Sequence, residues 1–314
     1  MITKHIFFSL LVIIPLLFTS CSKNPDIDNE TMLDGDQIFD PSLYNPEEYL
    51  VSVAIENPSA IQKNTPIIIT VHGYSASTFE WDEFRAYADA NANILVSQVL
   101  LGGHGRTYED FKKSTWEDWQ EPIMTEYNSL REKGYTNINF AGSSTACPLV
   151  MELIKNGEIG DNGMKNIFLI DPIVIPSDKL LSLVGLVGPM MGFIESANSP
   201  SEEGRWYRFR PQETLQQLSN LIGKVRKDLQ KGFNLPTGTQ MKVYKSTHDS
   251  SADPVSAVLI YKGLKNSDGS NIEVDMIDSK LHVITRLDGR ESVTDQDRIL
   301  QTNVFDDMIK LLQQ

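Results

Sequence analysis

Runs of apolar residues alternate along the chain with segments in which apolar residues recur at helical spacing. The runs at 67–71 and 94–101 are continuous, which is typical of strands buried on both faces of a sheet. Residues 116–133 have the spacing of an amphipathic helix instead. The same patterns predict strands at 49–55, 137–141, 166–170, 241–246 and 272–277, and helices at 145–155, 253–264 and 293–312. Strands that alternate with helices predict an α/β fold, with a mostly parallel sheet and helices on both faces.

Residues 172–236 interrupt this alternation, because they contain no convincing strand pattern. An apolar stretch at 180–194 is broken by glycines and a proline, and it is too short and too interrupted to span a membrane. The segment 211–229 has the pattern of an amphipathic helix. We therefore predict a helical cap at 172–236, inserted between two core segments at 49–171 and 237–314.

The first twenty residues have the pattern of an export signal. A basic start precedes an apolar run at 6–18, which has the length of the core of a secretory signal. The small residues Thr19 and Ser20 then precede Cys21, and this resembles the lipobox of bacterial lipoproteins, although Phe18 stands where leucine is usual. The alternative is an ordinary cleaved signal followed by a chance cysteine. The lipobox resemblance implies a signal peptide at 1–20 and a lipid on Cys21 that anchors the protein to a bacterial cell membrane, as an outer-membrane protein facing the periplasm or the cell surface.

The charge balance is strongly acidic, with 42 Asp and Glu against 28 Lys and Arg and a net charge of −14. This balance argues against a nucleic-acid binder and against a basic patch for anionic lipid, since both need clustered positive charge. Acidic residues are dense at 21–48, where only one lysine accompanies them, so we predict a flexible tether there. The two cysteines, Cys21 and Cys147, are too few for a disulfide framework or a zinc ribbon.

A candidate nucleophile lies where a predicted strand turns into a helix. Residues 142–146 read Gly-Ser-Ser-Thr-Ala, which places small residues two before and two after Ser144. That spacing resembles the G-x-S-x-G nucleophile elbow, whose strained turn needs small flanking side chains, and Ala146 replaces the last glycine. Ser143 is the rival nucleophile, but its flanking residues fit this pattern less well.

A candidate oxyanion hole follows the strand at 67–71, which ends in His72-Gly73-Tyr74. The backbone N–H of Tyr74 would point at a developing negative charge, and the N–H of Thr145, after the nucleophile, would supply the second donor. The alternative is a strand-end turn that merely needs Gly73.

A candidate acid and a candidate base follow the last two strands. Asp249 and Asp253 both follow the strand at 241–246, and Asp253 is also placed to cap the next helix, so Asp249 is favoured while Asp253 stays open. His282 follows the final strand, where the base is expected. The order Ser144, Asp249, His282 is the chain order of the α/β-hydrolase triad.

Over roughly residues 65–312 the chain resembles α/β-hydrolases of the carboxylesterase and monoacylglycerol lipase group. Besides the candidate triad, the resemblance rests on the Gly-Gly-His-Gly loop at 102–105, the Trp-Glu-Asp-Trp segment at 116–119 and the last cap helix at 211–229. Asp171 departs from the alanine that is usual after the strand beyond the elbow, and Leu281 stands where glycine is usual before the base.

The resemblance implies an α/β-hydrolase fold and a serine carboxylic-ester hydrolase that acts on short-to-medium acyl esters or monoacylglycerols through an acyl-enzyme. The apolar stretch at 180–194 would line the acyl site. The implied partners are an ester or lipid substrate and the membrane, with no cofactor, no metal and no nucleic acid. Two alternatives remain open: a catalytically inactive, lipid-anchored binding protein on the same fold, and an amidase, thioesterase or acyltransferase that uses the same triad.

Overall fold

The computed structural model describes residues 24–27, 56–177, 192–200, 202 and 204–314. Several predicted features lie outside the described residues: the signal at 1–20, Cys21, most of the tether, the strand at 49–55 and residues 180–191 of the apolar stretch.

A parallel sheet of six strands forms the centre of the described structure. All strands of the described residues, in chain order, are β1 (Ile67–Val71), β2 (Leu95–Val99), β3 (Ile138–Ser143), β4 (Asn166–Ile170), β5 (Phe193–Glu195), β6 (Phe209–Pro211), β7 (Phe233–Asn234), β8 (Gln240–Ser246), β9 (Leu264–Lys265) and β10 (Glu273–Ile277). Four of these, the short strands β5, β6, β7 and β9, lie outside the six-stranded sheet. The order across the main sheet is β10-β8-β4-β3-β1-β2, and every neighbouring pair is parallel. The predicted parallel sheet is confirmed, with strand ends within a few residues of the expected ones.

Helices connect these strands and cover both faces of the sheet. They are α1 (Ala60–Asn64), α2 (Asp82–Asn91), α3 (Tyr108–Lys113), α4 (Trp116–Glu132), α5 (Ala146–Lys155), α6 (Gln212–Lys231), α7 (Val255–Gly263) and α8 (Asp295–Leu312). Thr115 and Thr294 begin α4 and α8 with capping boxes, in which each threonine hydroxyl accepts the N–H of an aspartate that reaches back to the threonine N–H.

The alternation of side chains in the strands divides the core into two layers. Ile67 and Ile69 of β1 pack with α4, α5, α6 and α7 on one face, while Ile68 packs with α2 and α8 on the other. All three isoleucines are fully buried, and each such burial contributes about 2 kcal/mol. Burial on both faces explains why β1 appears in the sequence as a continuous apolar run.

The inserted segment is only partly as predicted. Helix α6 packs into the core through Leu218, Ile222 and Val225, so the amphipathic helix is confirmed. The expectation that residues 172–236 contain no strand was wrong, because β5 and β6 form an antiparallel hairpin and β7 pairs with β9. These strands are two or three residues long, which is too short to produce a recognisable alternation in the sequence.

A short piece of the predicted tether contacts the folded body. The Asn24 side-chain carbonyl accepts a hydrogen bond from Lys112 Nζ at 2.6 Å, and its amide donates to Glu109 Oε1 at 3.4 Å. Both partners belong to α3, and the neighbouring Pro25 is buried. Within the described ranges, the helices are all too short or too polar to cross a membrane.

Candidate active site

Ser144 lies at the turn between β3 and α5 in a strained backbone conformation. Its backbone φ is 48°, a value that residues other than glycine rarely adopt. Such a conformation persists only where the surrounding structure enforces it. The Ser144 N–H donates to the carbonyl of Ile170 at 2.9 Å, which ties the turn to β4. A Cβ on Gly142 would lie 2.9 Å from the Cβ of Ala146 and 2.7 Å from the Phe140 ring. The close approach explains why small residues flank Ser144.

Ser143 and Ser144 have different surroundings. The Ser143 side chain is fully buried, and its hydroxyl is hydrogen-bonded to Glu80 and lies 3.3 Å from the carbonyl of Val71. Ser144 lines a cavity beside Tyr74. Of the two serines, only Ser144 is therefore placed to meet a ligand.

The turn after β1 approaches Ser144 closely. A Cβ on Gly73 would lie 3.1 Å from the Ser144 Cβ, so a larger residue would crowd the elbow. The Gly73 N–H is occupied by Glu80 Oε1 at 2.9 Å. The backbone N–H groups of Tyr74 and Thr145 have no hydrogen-bond acceptor among the described residues, although both residues line the cavity. Two unoccupied donors beside Ser144 are what an oxyanion hole requires.

Two buried histidines brace this turn. His72 Nδ1 lies 2.8 Å from the Gly73 carbonyl, and its Nε2 accepts the Leu101 N–H at 3.0 Å. His104 Nε2 accepts the Ser75 N–H at 3.2 Å. Burial lowers the pKa of His72 to about 4 and lowers that of His104 well below its usual range. Both histidines are therefore neutral hydrogen-bonding groups at neutral pH.

His282 is paired with Asp249. Its Nδ1 lies 2.8 Å from Asp249 Oδ2, and the imidazole is about one quarter exposed and lines the same cavity as Ser144. Asp253, the alternative acid, accepts the N–H of Val255 at the start of α7 instead. His248 is exposed and lies 3.4 Å from Asp278, away from this pair.

The protonation of this pair follows from its surroundings. Burial by itself would raise the pKa of Asp249, but the hydrogen bonds and charges of His282 and Lys245 outweigh it and lower the pKa to about 2. An ionised carboxylate can only accept, so the proton at this contact belongs to His282 Nδ1. The neutral tautomer that this contact selects carries its lone pair on Nε2, which is the tautomer that a general base needs.

Two charged groups next to these residues, Glu80 and Lys245, were not predicted from the sequence. Lys245 Nζ lies 2.5 Å from Asp249 Oδ2 and 3.0 Å from Asp171 Oδ1, and its side chain is fully buried. The unusual Asp171 indicates that a buried carboxylate here needs a partner, but the sequence does not identify that partner. Ligand atoms of Asp171, Asp249 and His282 lie within 4.8 Å of one another, which is a spacing that metal sites use. In this structure the cation that bridges the two carboxylates is the lysine ammonium.

The thiol of Cys147, three residues after Ser144, takes no part in this site. Its Sγ lies 3.1 Å from the carbonyl of Gly142, and the residue is fully buried. Burial raises the pKa of the Cys147 thiol well above its usual range, so a thiolate nucleophile is disfavoured.

The cavity beside Ser144 has a volume of about 440 Å³. One part of its wall is apolar and one part is charged. The apolar part comprises Ile173, Ile194, Trp206, Leu215 and Leu218, and the charged part comprises Glu80, Glu202, Arg210, Arg286 and Arg290. Of the stretch at 180–194 that was expected to line an acyl site, Ile194 does so, while residues 180–191 lie outside the described structure. A second cavity of about 540 Å³ lies at the amino ends of β4 and β8 and is lined by none of the predicted site residues.

Comparison of the sequence with known proteins gives distant relatives of one kind, and no family model matches the chain. A thermostable monoacylglycerol lipase of Bacillus sp. strain H-257 is 24% identical over 71% of this chain and 85% of its own length. A carboxylesterase of Bacillus subtilis strain 168 is 23% identical over 79% of this chain and 96% of its own length.

Solved structures give the same result for the fold. A structure from the metagenome-derived lipolytic enzymes LipS and LipT matches with a TM-score of 0.60 at 18% identity, covering 79% of this chain and 94% of the other. A soluble variant of the monoglyceride lipase of Saccharomyces cerevisiae matches with a TM-score of 0.60 at 10% identity, covering 91% and 97%. The parallel sheet with helices on both faces and these similarities together identify the chain as a protein of the α/β-hydrolase fold, whose relatives and structural neighbours are carboxylesterases and monoacylglycerol lipases.

Proposed function

We propose that this protein is a serine carboxylic-ester hydrolase that acts on short-to-medium acyl esters or monoacylglycerols. One observation carries the proposal: His282, with one ring nitrogen held by the ionised Asp249, lines the same cavity as Ser144, which occupies the strained turn after β3. A serine, an imidazole and a buried carboxylate in this relationship are the components of a nucleophilic acyl-transfer site.

The reaction begins when Ser144 Oγ attacks the ester carbonyl carbon and its proton passes to His282 Nε2. The new imidazolium is stabilised by the Asp249 carboxylate. His282 then returns the proton to the departing alcohol, which leaves an acyl group on Ser144. A water molecule attacks this acyl-enzyme, gives a proton to His282, and the carboxylic acid is released as Ser144 recovers its proton.

Charge that develops on the carbonyl oxygen needs donors already in position. The N–H groups of Tyr74 and Thr145 have no other acceptor among the described residues, and each removed oxyanion donor typically costs 10²–10³ in kcat. Their place beside Ser144 supports this role, since Gly73 and the elbow approach within contact distance.

The substrate class is inferred from the cavity wall and the relatives. Ile173, Ile194 and Leu218 offer apolar contact for an acyl chain, in which each buried CH₂ contributes about 0.8 kcal/mol. One relative is a monoacylglycerol lipase and another is a carboxylesterase. These names support a substrate ester with one acyl chain and a small alcohol. A cap over Ser144 would restrict bulky leaving groups such as diacylglycerols.

We also propose that a lipid on Cys21 attaches the mature protein to a bacterial cell membrane. The support is the apolar run at 6–18 that ends in Thr19-Ser20-Cys21, and an enzyme for lipid esters gains from a place at a membrane surface.

A panel of p-nitrophenyl esters from acetate to palmitate, offered to the purified protein, tests the activity. We expect hydrolysis that favours the short and medium chains, and labelling of the protein by a fluorophosphonate probe at Ser144, read by peptide mass spectrometry. Failure of both hydrolysis and labelling would point to the inactive binding protein. Labelling without ester hydrolysis would direct the search to amides, thioesters and acyl acceptors.

A further inference from the structure

A buried chain of charges extends behind His282. Lys245 and Asp171 are fully buried, and Asp249 is 5% exposed. Isolated charges are costly to bury, so side chains of this kind persist only when they are paired and hydrogen-bonded. Lys245 lies between the two carboxylates and hydrogen-bonds both.

Lys245 contacts the same atom that orients the imidazole. Asp249 Oδ2 accepts a hydrogen bond from His282 Nδ1 and another from Lys245 Nζ, while Oδ1 accepts the N–H groups of Ser251 and Ala252. The carboxylate is therefore fixed from both sides, and it cannot rotate without losing one of these bonds.

Asp171 connects this carboxylate to the loop that carries His282. Its Oδ1 accepts the Ser246 N–H at 2.7 Å and the Lys245 ammonium, and its Oδ2 accepts the N–H of Val283 at 2.8 Å. Val283 directly follows His282 and has a φ of 61°, a left-handed value that this bond helps to hold. One buried carboxylate thus joins the ends of β4 and β8 to the base loop.

We propose that Lys245 and Asp171 act as a pair of positioning residues that hold Asp249 and set the basicity of His282. The inference rests on the proposed function only in naming His282 as the base. Lys245 and the imidazole of His282 contact the same Asp249 oxygen, so the positive charge of Lys245 opposes protonation of the imidazole. Asp171 partly cancels that charge and so favours protonation.

Other charged groups face His282 from the elements around it. Arg290 donates to the His282 carbonyl from the same loop, and Arg286 pairs with Glu202 at 2.8 Å across the cavity. Glu80 lines the cavity on the side of β1. These groups stay unchanged in the variants below, so a shift between variants reports on Lys245 and Asp171.

Lys245→Met removes the positive charge and keeps a side chain of similar length. Both carboxylates retain donors, because Asp171 keeps the N–H groups of Ser246 and Val283, and Asp249 keeps those of Ser251 and Ala252. We expect the acid limb of the pH profile of kcat/KM to move upward by about 1 pH unit, because the imidazolium loses a repulsive neighbour.

Asp171→Asn should move the acid limb in the opposite direction. The positive charge of Lys245 then loses the negative charge of Asp171 that partly cancels it. The double variant Asp171→Asn with Lys245→Met removes both charges and should return the midpoint close to that of the wild type. A purely structural pair would lower kcat or stability at every pH and would not give shifts of opposite sign.

Lys242→Met is the matched control. Lys242 lies on the same strand and pairs with Asp307 at 2.7 Å and Asp275 at 3.0 Å, at the end of β8 remote from Asp249. Loss of this lysine should leave the midpoint where it is in the wild type.

An NMR titration of the His282 ring in each variant separates this proposal from the proposed function. The ring pKa should rise in Lys245→Met and fall in Asp171→Asn whether or not the protein hydrolyses esters. An active wild type whose midpoint and ring pKa are the same in all variants would overturn the proposal and leave the esterase assignment intact. If Lys245→Met fails to fold, a fall in Asp171→Asn and its reversal in the double variant decide the question.

Discussion

The carboxylate of Glu80 accepts a hydrogen bond from the hydroxyl of Ser143, which lies 63 residues further along the chain. The same carboxylate oxygen accepts the Gly73 N–H at 2.9 Å. Glu80 therefore ties the end of β3, directly before Ser144, to the turn that carries Tyr74. This contact gives neighbouring Ser143 and Ser144 opposite roles, one in the frame of the site and one in its chemistry.

Alanine variants of the two serines should separate these roles. Ser144→Ala should lower kcat/KM for p-nitrophenyl butyrate by about 10⁴ or more and leave the fold intact. Ser143→Ala should cost about 1–2 kcal/mol of unfolding free energy, because Glu80 loses a buried donor, and should lower activity much less. Steady-state kinetics and urea unfolding of both variants provide the comparison, and undiminished turnover by Ser144→Ala would overturn its assignment as nucleophile.

The stability of the protein should fall as the pH is lowered from about 6.5 to 4, because of His72. Burial depresses the pKa of this histidine from 6.5 to about 4, so its contribution is complete above pH 6.5 and is lost as protons bind the unfolded state first. The full shift corresponds to about 3 kcal/mol. Urea unfolding across this range should show a steeper fall for the wild type than for His72→Gln. Equal slopes in the two proteins would show that His72 is not the group responsible.

A larger side chain at Ile194 should shorten the preferred acyl chain. Ile194 lines the cavity from β5 and is half-buried, so a tryptophan there can extend into the space for the acyl group. We expect Ile194→Trp to lower kcat/KM for decanoate at least tenfold more than for acetate. Phe193→Trp is the matched control, because successive strand residues point to opposite faces and Phe193 packs on Phe209. The same chain-length profile in both variants would mean that Ile194 does not contact the acyl group.

Replacement of Cys21 should release the protein from the membrane fraction. The predicted lipid is attached through the Cys21 sulfur, and a serine cannot carry it. Fractionation of cells that produce Cys21→Ser, with Ser22→Ala as the control, tests this expectation, and labelling with a clickable palmitate analogue reports the lipid directly. Retention of the serine variant in the membrane would show that another part of the protein provides the attachment.

Much of the fold was accessible from sequence because burial on both faces leaves a clear pattern. β1 and β4 are continuous apolar runs, and the predicted bounds 67–71 and 166–170 match the structure. The hairpin of β5 and β6 was missed because three residues cannot show a period of two. The pairing of β5 with β6 depends on the contact between Phe193 and Phe209, which lie 16 residues apart in the chain.

Some residues of the candidate site could likewise be predicted from the sequence, and others could not. Ser144 has a local signature, since its strained φ demands small neighbours, and the candidate base and acid follow from their order after the strands. The roles of Glu80 and Lys245 could not be predicted, because each depends on a partner brought near by folding. From the sequence alone, Lys245 in β8 could extend either to solvent or to a buried carboxylate.

The contact of Asn24 with α3 determines how far the body could stand from a lipid on Cys21. Only Ser22 and Lys23 lie between Cys21 and Asn24, so the Cα atoms of Cys21 and Asn24 are at most about 11 Å apart. Lys112, which holds Asn24, also lies 3.8 Å from Glu213 in the first turn of α6, two residues before Leu215 in the cavity wall. An anchor at Cys21 would therefore hold α3 and the start of α6 near the lipid surface, and we expect the cavity to receive esters from that bilayer. Vesicle-bound protein should then hydrolyse a bilayer-resident monoacylglycerol faster than an equal amount of Cys21→Ser, and equal rates would argue against this delivery route.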